Sequence, residues 1–177
     1  MITWSYFPRN AAITELGRET VGCFEQVADI ISSEKNDHLI GPKFKDATSD
    51  KVLGHVRGPL KKLGFEVETG KSKAEKINVP VLFGLNGKPE KSFDADAFHR
   101  GERFVLEVEA GRAVVNYQFL KDLFQACVMV DVDYLGIAVR KVYKGSKDFE
   151  RVHFFFDTLY TSGRLKLPLK GVLLIGY

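Results

Sequence analysis

The chain has 177 residues, 45% hydrophobic and 28% charged, which is the balance of an ordinary folded domain and excludes an intrinsically disordered protein. Its formal net charge of +3 permits a nucleic-acid partner without the concentrated basicity of a dedicated nucleic-acid binder. No run approaches the length of apolar chain that crosses a bilayer, and MITWSYFPRN lacks a charged start followed by an apolar core, so neither a membrane span nor a signal peptide is expected, and a cytoplasmic location is.

The length suits a single domain over residues 1–177, and there is no internal repeat or low-complexity run to mark a linker. Cys23 and Cys127 fall within helical patterns without metal-ligand spacing, which reads as two buried free thiols. Residues 11–33 repeat apolar side chains at roughly helical intervals, from Ile13, Leu16, Val21 and Phe24 to Val27, Ala28, Ile30 and Ile31, so a helix beginning near Asn10 is predicted. Glu15, Glu19 and Glu25 belong to its solvated face. Residues 34–46, with Gly41-Pro42 as a turn signal and His38 as a plain loop residue, read as an exposed connection. From Thr48 to Leu63 the apolar positions Val52, Val56, Leu60 and Leu63 predict a second helix, capped by Gly64 and either kinked or restarted at Pro59. Phe65 to Glu68 then alternates as a strand.

Lys71, Lys73 and Lys76 follow, with Lys61 and Lys62 just upstream; the plain reading of such a run is a solvated loop. Ile77 to Leu85 reads as a strand that meets a turn at Asn86-Gly87 and pairs with the strand around Phe93. Lys91 to Arg112 reads as a β-hairpin with Arg100-Gly101 at a two-residue tip. That tip sets Asp94 opposite Glu107, Ala95 opposite Leu106, Asp96 opposite Val105 and Phe93 opposite Val108. One face is then Phe93, Ala95, Ala97, Phe104, Leu106 and Val108, and the other gathers Asp94, Asp96, Glu107 and Glu109. After Gly111 the period lengthens to that of a helix, through Val114, Phe119, Leu123 and Cys127. The continuous apolar run Tyr134–Val139 is a strand buried on both faces, and strand, helix, strand implies a right-handed parallel crossover. Residues 144–151 form a charged turn, Val152 to Tyr160 an aromatic-rich segment that packs in the core, and Gly171 to Tyr177 a last strand. The fold class is α/β with a mixed central sheet.

Like charges facing each other destabilise a sheet, and two of them about 4 Å apart repel by roughly 4 kcal/mol at an effective dielectric near 20. The four-carboxylate face therefore calls for a positive partner, and a hard divalent cation suits oxygen ligands. The plainer alternative is an acidic strand face fanned into water.

The segment from Asp94 through Gly101 to Glu107-Val-Glu109, leading into a helix, resembles the PD-(D/E)xK nuclease superfamily. The run LEVEAGRAVVNYQFLKDLF followed by VDVDYLGIAVR is most similar to the BglII/BstYI-like type II restriction endonucleases. Phe93 stands in place of the usual Pro and Glu109 in place of the usual lysine, and BamHI-like and BglII-like relatives also carry Glu or Gln at that second position. The resemblance implies a restriction-endonuclease-like three-layer fold with a mixed central β-sheet flanked by helices. It implies a Mg²⁺-dependent endonuclease acting on DNA, with Mn²⁺ as a possible substitute, working as a homodimer. Asp94 and Glu107 would ligate the metal with Asp96 and the Val108 carbonyl as further donors, and Glu109 would orient or deprotonate the attacking water. A second metal ion, or Lys121 or Arg112, would take the missing lysine's part. Lys61, Lys62, Lys71, Lys73, Lys76, Arg112 and Asn116 would contact nucleic acid. The alternative is a catalytically silent nuclease-fold protein that binds nucleic acid or a protein partner.

Overall fold

The computed structural model describes residues 1–33, 49–111 and 113–177; the predicted connection over 34–46 with His38, the side chains of Ile30 and Ile31, and Arg112 lie outside the described residues. The described residues form, in chain order, β1 Thr3–Phe7, α1 Glu15–Ser33, α2 Ser49–Lys62, β2 Glu66–Val67, β3 Ile77–Phe83, β4 Pro89–Ala95, β5 Ala97–His99, β6 Phe104–Glu109, α3 Gln118–Val128, β7 Tyr134–Val139, α4 Asp148–Ser162 and β8 Gly171–Gly176. Six strands form a mixed sheet in the order β1-β8-β7-β6-β5-β2, and β3 and β4 form a separate two-stranded sheet. Strands β6, β7 and β8 are parallel; β1, β5 and β2 join antiparallel to their neighbours.

Local chemistry sets the element ends. Helix α1 starts later than Asn10 because the Thr14 hydroxyl accepts the Gly17 amide at 3.1 Å, satisfying one of the otherwise orphaned first-turn donors. Helix α2 runs through Pro59 without a restart. It ends on a Schellman cap: the Phe65 amide donates to Leu60 O and the Gly64 amide to Lys61 O, both at 3.1 Å, with Gly64 at φ 97°, a region that costs glycine little. The third helix begins at Gln118, later than its apolar pattern, because Asn116 (φ 58°) and Tyr117 (φ 52°) both turn left-handed ahead of it. Two elements were not anticipated: β1, and the helix α4 that carries the aromatic segment Val152–Tyr160.

The sheet is covered on both faces. On one side α1 and α2 pack on Ala97, Phe104, Leu106, Val108, Leu173 and Ile175. On the other, α3 and α4 pack on Val105, Leu135, Ile137, Val172 and Leu174, together with Val79 and Ala95 from the small sheet. The alternation of β6 is thus as the sequence predicts, Phe104, Leu106 and Val108 facing one core and Val105 the other. Among the described residues no helix is long and apolar enough to cross a membrane.

The hairpin differs from its predicted register. Its turn covers residues 100–103 instead of Arg100-Gly101 alone, closed by the Arg103 amide on Arg100 O at 3.2 Å with Arg103 left-handed at φ 56°. Ala97 pairs with Leu106, Phe98 with Val105 and His99 with Phe104, a slip of two residues. A two-residue slip preserves the faces of β6 but changes every partner. In addition the strand does not continue straight through Asp96. Ala95 belongs to β4, paired with Ile77 and buried with Val79, whereas Ala97 belongs to β5 and the opposite core. The predicted grouping of Phe93 and Ala95 with Ala97 therefore fails at the point where the chain changes sheets.

Candidate active site

Asp96 occupies that junction. The Glu68 amide donates to Asp96 O at 2.8 Å, extending the β2–β5 ladder by one row, and the β5–β6 register continued past Ala97 sets Asp96 opposite Glu107. Residues opposite each other in antiparallel strands share a face, so Glu68, Asp96 and Glu107 stand in one row across β2, β5 and β6. Val108 would take its next ladder bond from Ala95, which has left for the small sheet. Its amide instead donates to Asp96 Oδ2 at 2.7 Å. Amide and carbonyl of one strand residue point to the same neighbour, so the Val108 carbonyl is also turned to the Asp96 side.

Glu109 lies two residues beyond Glu107 on the same face of β6, and α3 brings Asp122 down onto it. Asp122 is buried, and its Oδ2 has no hydrogen-bond partner among the described residues. The cost of these charges is visible in their protonation. Burial pushes the Asp96 carboxyl up to about 7, with Glu68 and Glu109 adding to the rise and the Val108 amide and Lys76 opposing it. Glu107 is raised well above the usual carboxylate range, first by burial and then by Asp96, Asp122 and Glu109. Asp122 is raised by burial, by the charge of Glu109 and by a hydrogen bond to Glu109 that favours its protonated form. Lys121 draws both Glu107 and Asp122 back down. Burial first, and then their mutual repulsion, raises the proton affinity of Asp96, Glu107 and Asp122.

The structure separates the sequence-predicted residues. Asp96, Glu107, Glu109 and Lys121 come together, with Val108 beside them. Asp94 does not join them: it sits exposed on β4 opposite Asn78, in the small sheet, so the expected Asp94–Glu107 pairing is replaced by Asp96–Glu107. Lys61 and Lys62 end α2 at the cap beside Phe65, whose ring meets His99 at 5.4 Å, which puts them at the hairpin-tip end of β6 and away from Glu109. Lys71 is exposed and pairs with Asp50 at 3.4 Å, and Lys73 is exposed. Lys76 pairs with Glu68 at 2.7 Å and is not a free surface cation. Asn116 is exposed in the short turn Val115–Tyr117 that leads into α3.

Glu68 and Asp122 join the site without being among the residues that the sequence pattern singles out. For Asp122 the signal was present: it falls between Phe119, Leu123 and Ala126, a charge on the buried stripe of a helix. Glu68 carried no such signal, since its place in the row depends on strand pairing.

The donor chemistry fits a hard divalent cation: oxygen ligands only, an excess of negative charge, and a buried Asp122 oxygen without a partner. In this arrangement, with Asp96 turned to the Val108 amide, no three carboxylate, histidine or cysteine side chains among the described residues converge on one point. Neither a protein-family model nor a curated protein matches this sequence.

Proposed function

We propose that the chain is a divalent-cation-dependent endonuclease of the restriction type, hydrolysing DNA phosphodiester bonds from a restriction-endonuclease-like core. The observation that carries this reading is the placement of Asp96 opposite Glu107 at the split of the hairpin, with Glu109 beyond it and α3 delivering Lys121 and Asp122. The order of elements also supports it: α2, the antiparallel set β2, β5 and β6, then α3 and the parallel strand β7. Asp96 and Glu107 would hold Mg²⁺ or Mn²⁺ with the Val108 carbonyl as a further oxygen. Bound there, such an ion would lower the pKa of a water and neutralise phosphate charge.

The chain's own residues do the rest. Glu109 orients the attacking water and accepts its proton, a role suited to a carboxylate among other carboxylates whose affinity for protons is raised. Lys121, exposed at the start of α3 and near both Glu107 and Asp122, meets the charge that develops on the phosphate, the part an E-x-K lysine would take. A homodimer on a two-fold DNA site belongs to the same reading.

The deciding experiment is plasmid cleavage in Mg²⁺ by wild type, Asp96→Asn, Glu107→Gln and Asp94→Ala. Loss in the first two variants with retention in the third, and unchanged circular dichroism throughout, is the expected result. Cleavage surviving in both Asp96→Asn and Glu107→Gln sinks the proposal. A second reading, a catalytically silent nuclease-fold protein, draws on the bond from the Val108 amide to Asp96, which engages a carboxylate oxygen that a metal would need. Wild-type protein that binds DNA and never cuts it would favour that reading.

A further inference from the structure

Lys76 is held between the two sheets by two independent constraints. The Thr69 amide donates to Glu75 O at 3.1 Å and closes the loop over 69–75, returning the chain beside Glu68. The β3–β4 register, Ile77 opposite Ala95 and Asn78 opposite Asp94, puts Lys76 next in line with Asp96. Its ammonium meets Glu68 Oε1 at 2.7 Å, the lysine side chain only 25% exposed and the glutamate 8%. Glu68 and Asp96 are in turn adjacent through the Glu68 amide on Asp96 O. The lysine thus stands at one end of the carboxylate row, and Asp94 adds to the negative field around it.

Resting on the nuclease reading above, we infer that Lys76 is the resident counter-ion of the Glu68–Asp96 end of the row, so that the site takes one divalent cation, at the Asp96–Glu107 end, and not two. Without the lysine, Glu68 and Asp96 would leave two carboxylates side by side, to which a second divalent ion would be drawn. The ammonium occupies that end of the row, at hydrogen-bond distance from the more buried of the two, and its charge repels a second cation. A tethered ammonium also carries no loss of translational freedom on binding, which a free ion does. Lys76 thereby acts on the site as a positioning residue, neutralising Glu68 and leaving Asp96 to face Glu107.

The test is Mn²⁺ titration of the full chain, with bound ion counted by electron paramagnetic resonance and by calorimetry in the absence of DNA. Wild type is expected to take up one Mn²⁺ per chain, folded Lys76→Met two, and Lys76→Met/Glu68→Gln one again. Two ions on the wild type, or one on folded Lys76→Met, overturns the inference and leaves the nuclease reading standing. No ion on either overturns the nuclease reading itself. Should Lys76→Met lose its fold, the wild-type count still decides between one site and two.

Discussion

At its Phe104 end, β6 begins from Arg103, whose guanidinium lies 3.4 Å from both Asp131 and Asp133, while Lys170 meets Asp133 at 2.9 Å and Arg100 meets Glu66 at 2.5 Å. At its Glu109 end the same strand presents Glu107 and Glu109 to Asp96 and Asp122, with Lys76, Lys121 and Arg140 among the nearby cations. The tip solves its charges locally: every acid named there has a basic partner, and most are open to water, where each pair is worth little. The other end leaves like charges together and partly buried, which raises the proton affinity of three carboxyls. Structure alone gains nothing from that crowding, since apolar side chains of similar size would pack there at lower cost. On the proposed nuclease reading, the crowded end of β6 is the one that carries the chemistry, and the paired end is architecture.

The sharpest way to test the contrast is to neutralise one carboxylate. If the chain is the proposed nuclease, Asp96→Asn and Glu107→Gln are expected to reduce its Mg²⁺-dependent cleavage by on the order of a thousandfold or more, the equivalent of several kcal/mol of metal-borne stabilisation. The same changes should leave the melting temperature unchanged or raise it, because a like charge has been removed. Loss of activity with a large drop in stability would mean that the carboxylates hold the fold together, and the comparison would break.

The next effect is on stability against pH. The Asp96 carboxyl, ordinarily near 3.8, is raised to about 7 in the folded chain, so between those values the folded state binds more protons than the unfolded one. Stability therefore falls as pH rises through that window, with Glu107 and Asp122 adding to the fall in the same direction. For Asp96 the change is on the order of a few kcal/mol by linkage. Urea unfolding at pH 5 and pH 8 measures it. Saturating Mg²⁺ at pH 8 should restore part of the loss, because an ion that binds only the folded state stabilises it. A flat profile, or one that rises with pH, contradicts the crowding of these groups.

How far the site could be read from the sequence follows from the same strand. Phe104, Leu106 and Val108 against Val105, Glu107 and Glu109 is a period-two pattern, and it placed the acids on one face of β6 without any partner being known. The partner strand was another matter. Asp94 and Asp96 alternate identically, and choosing between them needed the turn length, which Arg103 sets by adopting φ 56° without any glycine to announce it. The change of sheet at Asp96 is equally silent, because FDADAF reads as one uninterrupted strand. Helix α4 was hidden for a different reason: the run Phe154-Phe155-Phe156 reads as a core cluster with no clear period, whereas only Phe156 is fully buried and Phe154 is 72% exposed.

A smaller effect belongs to the tip. Arg103 is the hub between Asp131 and Asp133, the second of which is only 14% exposed, so Arg103→Ala is expected to cost about 1 kcal/mol, the upper part of the range for surface pairs. In a domain of this size that is about 2–4 °C in melting temperature. Cation affinity and cleavage rate should not move. A change in either would show that the tip communicates with the carboxylate row.

The smallest expected effect is the most discriminating for the role of the tip. Arg100 and Glu66 form a fork, with Nε to Oε1 at 2.5 Å and Nη2 to Oε2 at 3.0 Å, and the arginine also lies over the Phe98 ring at 5.2 Å. Both side chains are about half exposed, at 54% and 46%, so water and salt screen the charges and the pair contributes on the order of 0.5 kcal/mol. The fork joins β2 to the hairpin tip, and β2 is the strand that carries the chain on to Glu68. If the fork only ties two exposed segments, Arg100→Ala and Glu66→Ala each lower stability slightly, the double variant lowers it no further, and Mn²⁺ uptake is unchanged. If instead it sets the β2–β5 register, Glu68 shifts relative to Asp96 and Mn²⁺ uptake changes in both single variants. The Ala97–Val67 pairing and the Glu68 amide bond to Asp96 already fix that register without the fork, which is why the first outcome is expected.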